Sequence, residues 1–205
     1  MQRAGRQRGG ARIAERFAWS TTRSCPRLPS TSAAPYHLVV ETPGGANAKM
    51  KFDEDLKMKF DEDLQVFVFQ KPLPLGYVYP FDWGFIPGTL AEDEDPLDAM
   101  VLSDTPTAVG IVIDVVPIGV IRLRQQERRG QREVQNDRVL VAPVHASDYA
   151  DVQSLPKRVR DGLEKFFVAT GKVGKERVEV DGWQGPRKAA ALIQRAAKAY
   201  HLKHS

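Results

Sequence analysis

From residue 36 onward the chain is broken into short β-branched runs separated by Gly and Pro, and no other feature restricts its fold as much. Residues 36–41 (YHLVVE) stop against Pro43-Gly44-Gly45, and residues 66–69, 99–102, 111–116, 119–123 and 139–141 repeat the pattern. Such runs are short and suit a pleated, half-buried surface, so each predicts a strand. Many short strands with turn punctuation predict a small barrel or sandwich. The end of the chain reads differently. Val159, Leu163, Phe166 and Phe167 follow the i, i+4, i+7, i+8 spacing of one helix face. Ser154 is the expected N-cap, Pro156 falls in the first turn and Gly171 is the expected stop. A further helix is predicted to open at Pro186 and run through RKAAALIQRAAKAY. The expected fold is therefore α+β, mainly β, with a barrel first and helices packed at its side, mostly C-terminal.

Charge separates this domain from what precedes it. Residues 1–35 hold seven arginines against the single acid Glu15, a balance of +6, so the chain's +4 leaves −2 on the remainder. The Arg- and Ser-rich leader has the composition of an organellar transit peptide, and equally that of an extended reading frame in a GC-rich genome. Either way the expected division is 1–35 leader and 36–205 domain. A mildly acidic domain argues against nucleic acid as a partner. No apolar run approaches the roughly 20 residues of a membrane span. The single cysteine, Cys25, excludes an internal disulfide framework and fits a reducing compartment, so a cytoplasmic location is expected, or an organellar one if the leader is a transit peptide. KMKFDEDL occurs at 49–56 and again at 57–64. An even-numbered insertion keeps the alternation of faces along a strand, so a longer hairpin can absorb it.

The chemistry-bearing stretch is AEDEDPLD, residues 91–98, with five carboxylates in eight positions. Asp93, Asp95 and Asp98 stand in D-x-D-x-x-D spacing. Residues two apart project together from an extended segment, and Pro96 favours a bend that returns Asp98 toward them. Converging carboxylates repel unless cations lie between them, and hard cations such as Mg²⁺ prefer oxygen ligands. Glu92 and Glu94 are expected to face outward. An acidic surface loop with no ligand has the same composition, so the loop by itself leaves both readings open.

Its flanks add the Tyr-Pro-aromatic-Gly block YPFDWGFIPGT (79–89) upstream, and GVIRLR and NDRVLVAP downstream. Together with DEDPLD these motifs resemble the soluble inorganic pyrophosphatases of the magnesium-dependent β-barrel family, over about residues 36–200. The resemblance implies a five-stranded OB-like closed barrel, hydrolysis of pyrophosphate to two phosphates by a metal-activated water, and Mg²⁺ as cofactor with Mn²⁺ as a substitute. It also implies a homo-oligomer, a hexamer by analogy with bacterial relatives. Asp93 and Asp98 would be metal ligands, and Asp95 ligand or general base. Lys49, eight residues after Glu41, would bind substrate, as would Lys71, eight before Tyr79, and Tyr79, Trp83 and Arg138. Lys57, the second copy of Lys49, better keeps the spacing to Lys71, so either lysine could take the substrate position.

Several positions depart from the family pattern. Two further aspartates are expected after GVI, where this chain has Gln125, Gln126 and Glu127 and then Asn136 and Asp137. Asn136 falls on a metal-ligand position, and Asp137 or Glu127 would compensate only in a shifted register. Trp83 stands for a tyrosine, Lys71 for an arginine, and Thr170-Gly171 for a Tyr-Lys pair, with Lys172 one position on. Lys71 loses the bidentate fork of arginine. The alternative to an active hydrolase is thus a weakened or inactive protein of the same fold that binds phosphate, metal or polyanions.

Overall fold

A computed structural model describes residues 35–53, 66–92, 94–126, 133–145, 149–173 and 177–204, with side chains for all of these except 51–53, 66–71 and 172–173. The strands are β1 (Tyr36–Thr42), β2 (Ala48–Asp53), β3 (Val66–Pro72), β4 (Asp82–Ile86), β5 (Leu97–Val101), β6 (Val112–Gln126), β7 (Val134–Gln135), β8 (Arg138–Pro143) and β9 (Arg177–Gln184). Two helices, α1 (Lys157–Val173) and α2 (Pro186–His204), follow the β-rich part, with a 3₁₀ turn at Val152–Ser154 before α1.

The main sheet runs β1-β4-β5-β8-β6, and β6 pairs back onto β1 through Tyr36↔Val115 to Val39↔Val112. That last pairing closes five strands into a ring, which leaves none of the five with an unpaired edge along the ring. The parallel β5–β8 pair is the one exception to antiparallel pairing in it. β6 is long enough to belong to two layers. Its first half completes the ring, while its second half carries β7 and β9. The hairpin β2–β3 forms a separate two-stranded sheet.

Alternation along the ring strands sorts the core. Ala99, Val101, Val139 and Val141 pack with Leu38, Val40, Ala189 and Ile193, the last two from α2. Met100, Leu102, Leu140 and Ala142 face the other way, onto Leu163, Phe166 and Phe167 of α1. Burial on both faces explains why these strands read as continuous apolar runs. Gly84 of the aromatic block lies opposite Val40, and a Cβ there would collide with the Val39 carbonyl, so the tight β1–β4 pair requires glycine.

The structure corrects several sequence expectations. The runs 111–116 and 119–123 are one strand, β6, which passes Pro117 through a register shift between Pro117 and Gly119. A bulge absorbs the missing proline donor, so the proline does not end the strand. Ser154 does not cap α1. It belongs to the 3₁₀ turn, where its hydroxyl donates to the Asp151 carbonyl. Gly171 lies inside α1, which continues to Val173. β2, β4, β7 and β9 were not among the expected strands.

Candidate active-site cleft

A cleft of about 120 Å³ opens where the β2–β3 hairpin, the aromatic block, the β6–β8 pair and the end of α1 meet. Lys49, Tyr79, Trp83, Gln125, Arg138, Thr170 and Gly171 line it, with Leu73, Leu123, Phe166 and Phe167 among the apolar walls. A larger groove of about 990 Å³, bordered by Tyr77, Glu164, Lys165 and Val180, lies on the α1–β9 face and includes none of the predicted site residues. The smaller cleft is where the candidate chemistry gathers.

Its aromatic floor comes from the Tyr79–Trp83 stretch folding onto α1. Tyr79 meets Phe166 edge-on at 5.2 Å and Trp83 meets Phe167 at 6.2 Å, both favoured orientations for the ring quadrupoles. Asp82, between the two, is buried and holds the chain in place. Its carboxylate accepts from Gly44 N at 2.7 Å and from the Thr107 hydroxyl at 2.6 Å. Arg138, the first residue of β8, places its guanidinium 5.6 Å from the Trp83 ring centroid, a cation–π arrangement. Trp83 is only 4% exposed, and its Nε1 donor has no hydrogen-bond partner among the described residues.

Tyr79 reports the electrostatics of the cleft. Burial raises the pKa of its phenol above the ordinary 10.0, the charges of Asp98 and Glu41 raise it further, and Arg138 opposes them. Asp98 on β5, Glu41 on β1 and Arg138 on β8 therefore all act on one hydroxyl. Glu41 is itself buried. These carboxylates carry oxygen donors of the kind a hard divalent cation takes, while Arg138 and Lys49 bring positive charge to the cleft lining.

The remaining predicted residues fall as follows. Lys71 pairs with Lys49 through the backbone of the hairpin. Asn136 donates through Nδ2 to Gln125 Oε1 at 2.5 Å, so two neutral amides satisfy each other at the cleft wall. Asp137 instead accepts from Gln135 Nε2 at 2.5 Å on the exposed side, and the β6–β7 register, Gln125↔Val134, has no shift to bring it inward. Asp95 closes a turn by accepting from Ala91 N at 2.8 Å through its carbonyl. Lys57, Asp93 and Glu127 lie outside the described residues, as do the side chains of Lys71 and Lys172. Among the described residues, no three His, Cys, Asp or Glu side chains form a group that could hold a metal ion. Glu92 and Glu94 are exposed as expected, yet both are paired to α2, through Arg195 at 3.2 Å and Lys203 at 3.5 Å. Sequence reasoning missed Gln125 and Asn136 as partners of each other, because the β6–β7 register, Gln125↔Val134, is set only when that hairpin forms.

Comparison with known proteins gives one result throughout. The family model described as inorganic pyrophosphatase matches residues 38–201. The inorganic pyrophosphatase of Thermus thermophilus is 36% identical over 178 residues, which is 84% of this chain and 94% of the relative. That of a Nostoc species is 34% identical over 168 residues, covering 80% and 90%. The crystal structure of the T. thermophilus enzyme superposes with a TM-score of 0.71 at 26% identity, covering 85% of this chain and 95% of the other.

Proposed function

The chain belongs to the inorganic pyrophosphatase family, and from that membership we propose that it hydrolyses pyrophosphate to two phosphates at the Tyr79–Arg138 cleft. The observation that carries the reading is convergence: Lys49, Tyr79 and Arg138, separated by up to 89 residues in sequence, line one cleft beside Asp98 and Glu41.

Pyrophosphate carries several negative charges, so its hydrolysis requires that charge to be offset before water can approach. Lys49 and Arg138 would do so from the protein side. Arg138 is held by its stack on Trp83, so little ordering is left to be done when substrate arrives. The Tyr79 phenol stays protonated and can donate to a phosphoryl oxygen. Asp95 would take the proton of the attacking water. The family implies a divalent cation. In this reading it is Mg²⁺, with Mn²⁺ as a substitute, held by Asp93, Asp95 and Asp98 with Glu41 nearby, and it would neutralise phosphoryl oxygens and acidify water.

The Gln125–Asn136 pair favours a second reading, a slower enzyme or a phosphate-binding protein of this fold, since that wall offers neutral amides where the family pattern has aspartates. One measurement divides them: phosphate release from pyrophosphate by the purified protein, with and without Mg²⁺. Metal-dependent release at least 100-fold above background is expected for the hydrolase. Its absence would leave the binding protein.

We further propose that residues 36–205 form the working domain after a leader of 1–35, in the cytoplasm, as a homo-oligomer and without a nucleic-acid partner. No described helix is long and apolar enough to cross a membrane. The exposed apolar residues Leu75, Tyr77 and Val78, adjacent in one loop, support self-association. Light scattering on the purified chain tests it, and a monomer would refute it.

A further inference from the structure

We infer that the Gln125–Asn136 amide pair makes the Tyr79–Arg138 cleft a seat for a small inorganic oxyanion, orthophosphate or pyrophosphate, that the protein holds without a divalent cation. This rests on the reading that the cleft is the substrate site, and it concerns binding and not the turnover that follows.

The charge of the lining is one-sided. Lys49 and Arg138 are the charged side chains among the described residues that line the cleft, and no carboxylate is among them. Asp98 and Glu41 act on the Tyr79 phenol, yet neither lines the cleft. An entering anion therefore meets two positive charges, whereas a divalent cation meets no charged oxygen donor on the lining. The Tyr79 phenol, kept protonated chiefly by burial, adds a donor. Arg138, set 5.6 Å from the Trp83 ring centroid, brings a planar fork of donors that matches a phosphoryl group bidentately.

Gln125 decides the sign of the neutral wall. Asn136 Nδ2 donates to Gln125 Oε1 at 2.5 Å, so the oxygen of that amide is engaged within the protein. What Gln125 has left to offer the cleft is Nε2, a donor, which suits an anion and not a cation. A carboxylate of the same shape would present the anion's own sign of charge, and the anion could then enter only with a cation between them. Size narrows the ligand further. Sites for drug-sized molecules run to roughly 300–1,000 Å³, and a cleft of about 120 Å³ suits an inorganic anion better than a nucleotide.

The test is calorimetric titration of orthophosphate and of pyrophosphate into the full chain, once with a chelator and once with Mg²⁺. Both anions should bind saturably under chelator. Gln125→Glu keeps the shape and the Asn136 contact and adds one negative charge. It should weaken binding under chelator about tenfold or more, with recovery when Mg²⁺ is added. Arg138→Gln should abolish binding in both conditions. Lys49→Ala, at a half-buried hairpin position, gives the same readout if Arg138→Gln loses the parent's far-ultraviolet circular dichroism. Binding that needs Mg²⁺ in the parent and is lost in Arg138→Gln would overturn the metal-free seat and leave the cleft as the substrate site. Binding under chelator that Arg138→Gln abolishes and Gln125→Glu leaves unaltered would overturn the role of the amide pair. Binding indifferent to Arg138→Gln and Lys49→Ala, or no binding in either condition, would instead defeat the cleft reading itself, and the seat with it.

Discussion

The two walls of the cleft solve the same packing problem with opposite chemistry. On the β1–β5 side, Glu41 and Asp98 are close enough to the Tyr79 phenol to raise its pKa, so negative charge is kept near buried surface. On the β6–β8 side, Gln125 and Asn136 satisfy each other and need no counter-ion. The first wall keeps carboxylates within the electrostatic reach of Arg138. The second pairs two neutral amides.

The sharpest way to break the comparison is Asp95→Asn. If the loop recruits the cation, phosphate release at saturating Mg²⁺ should fall by about 10²–10⁴-fold while far-ultraviolet circular dichroism is unchanged. Full activity would show that the charged wall does no chemistry. Next in size is the floor between the walls. Trp83→Ala removes a buried indole that packs on Phe167 and carries Arg138, and should cost about 3–5 kcal/mol in denaturant unfolding. Trp83→Phe, which deletes the unpaired Nε1 and keeps most of the packing, should cost less than about 1.5 kcal/mol.

A smaller effect is expected on the neutral wall. Gln125→Ala removes the acceptor of Asn136 Nδ2 at a part-buried position, and about 1 kcal/mol of stability should go with it while kcat stays within about twofold. A loss of activity comparable to that of Asp95→Asn would erase the distinction between the walls. The smallest effect concerns pH. The folded state raises the pKa of Tyr79, chiefly by burial, so it favours the protonated phenol. Its contribution to stability is whole below pH 10 and declines as pH rises above the unfolded value toward the folded one. Tyr79→Phe should therefore show a shallower alkaline loss of stability than the parent, measured as Tm against pH above pH 10.

Much of the fold was legible locally. The runs at 36–41, 66–69, 99–102 and 139–141 became β1, β3, β5 and β8, because β-branched alternation and flanking turns operate within a few residues. Leu163, Phe166 and Phe167 became the buried face of α1 for the same reason. The omissions share a cause. DWGFI was read as part of an aromatic motif because its glycine and acid depress strand propensity, yet Asp82 is paid back by Gly44 and Thr107, and Gly84 is needed by Val39. β9 carries Glu179 and Asp181, which are matched by Arg124 of β6 at 3.2 and 2.6 Å, a pairing invisible from either segment alone.

The chain by itself determined the chemistry on offer: a D-x-D-x-x-D loop after a Tyr-Pro-aromatic-Gly block, in a domain of slightly negative charge. Spacing of that kind is covalent and survives any register. Tertiary structure alone decided who meets whom. The order β4-β5-β8 in the sheet set Arg138 over Trp83, the β6–β7 pairing set Gln125 against Asn136, and the docking of α2 made the exposed Glu92 and Glu94 partners of Arg195 and Lys203. Contacts between residues tens of positions apart depend on the twist and closure of the whole sheet, and no local pattern encodes those.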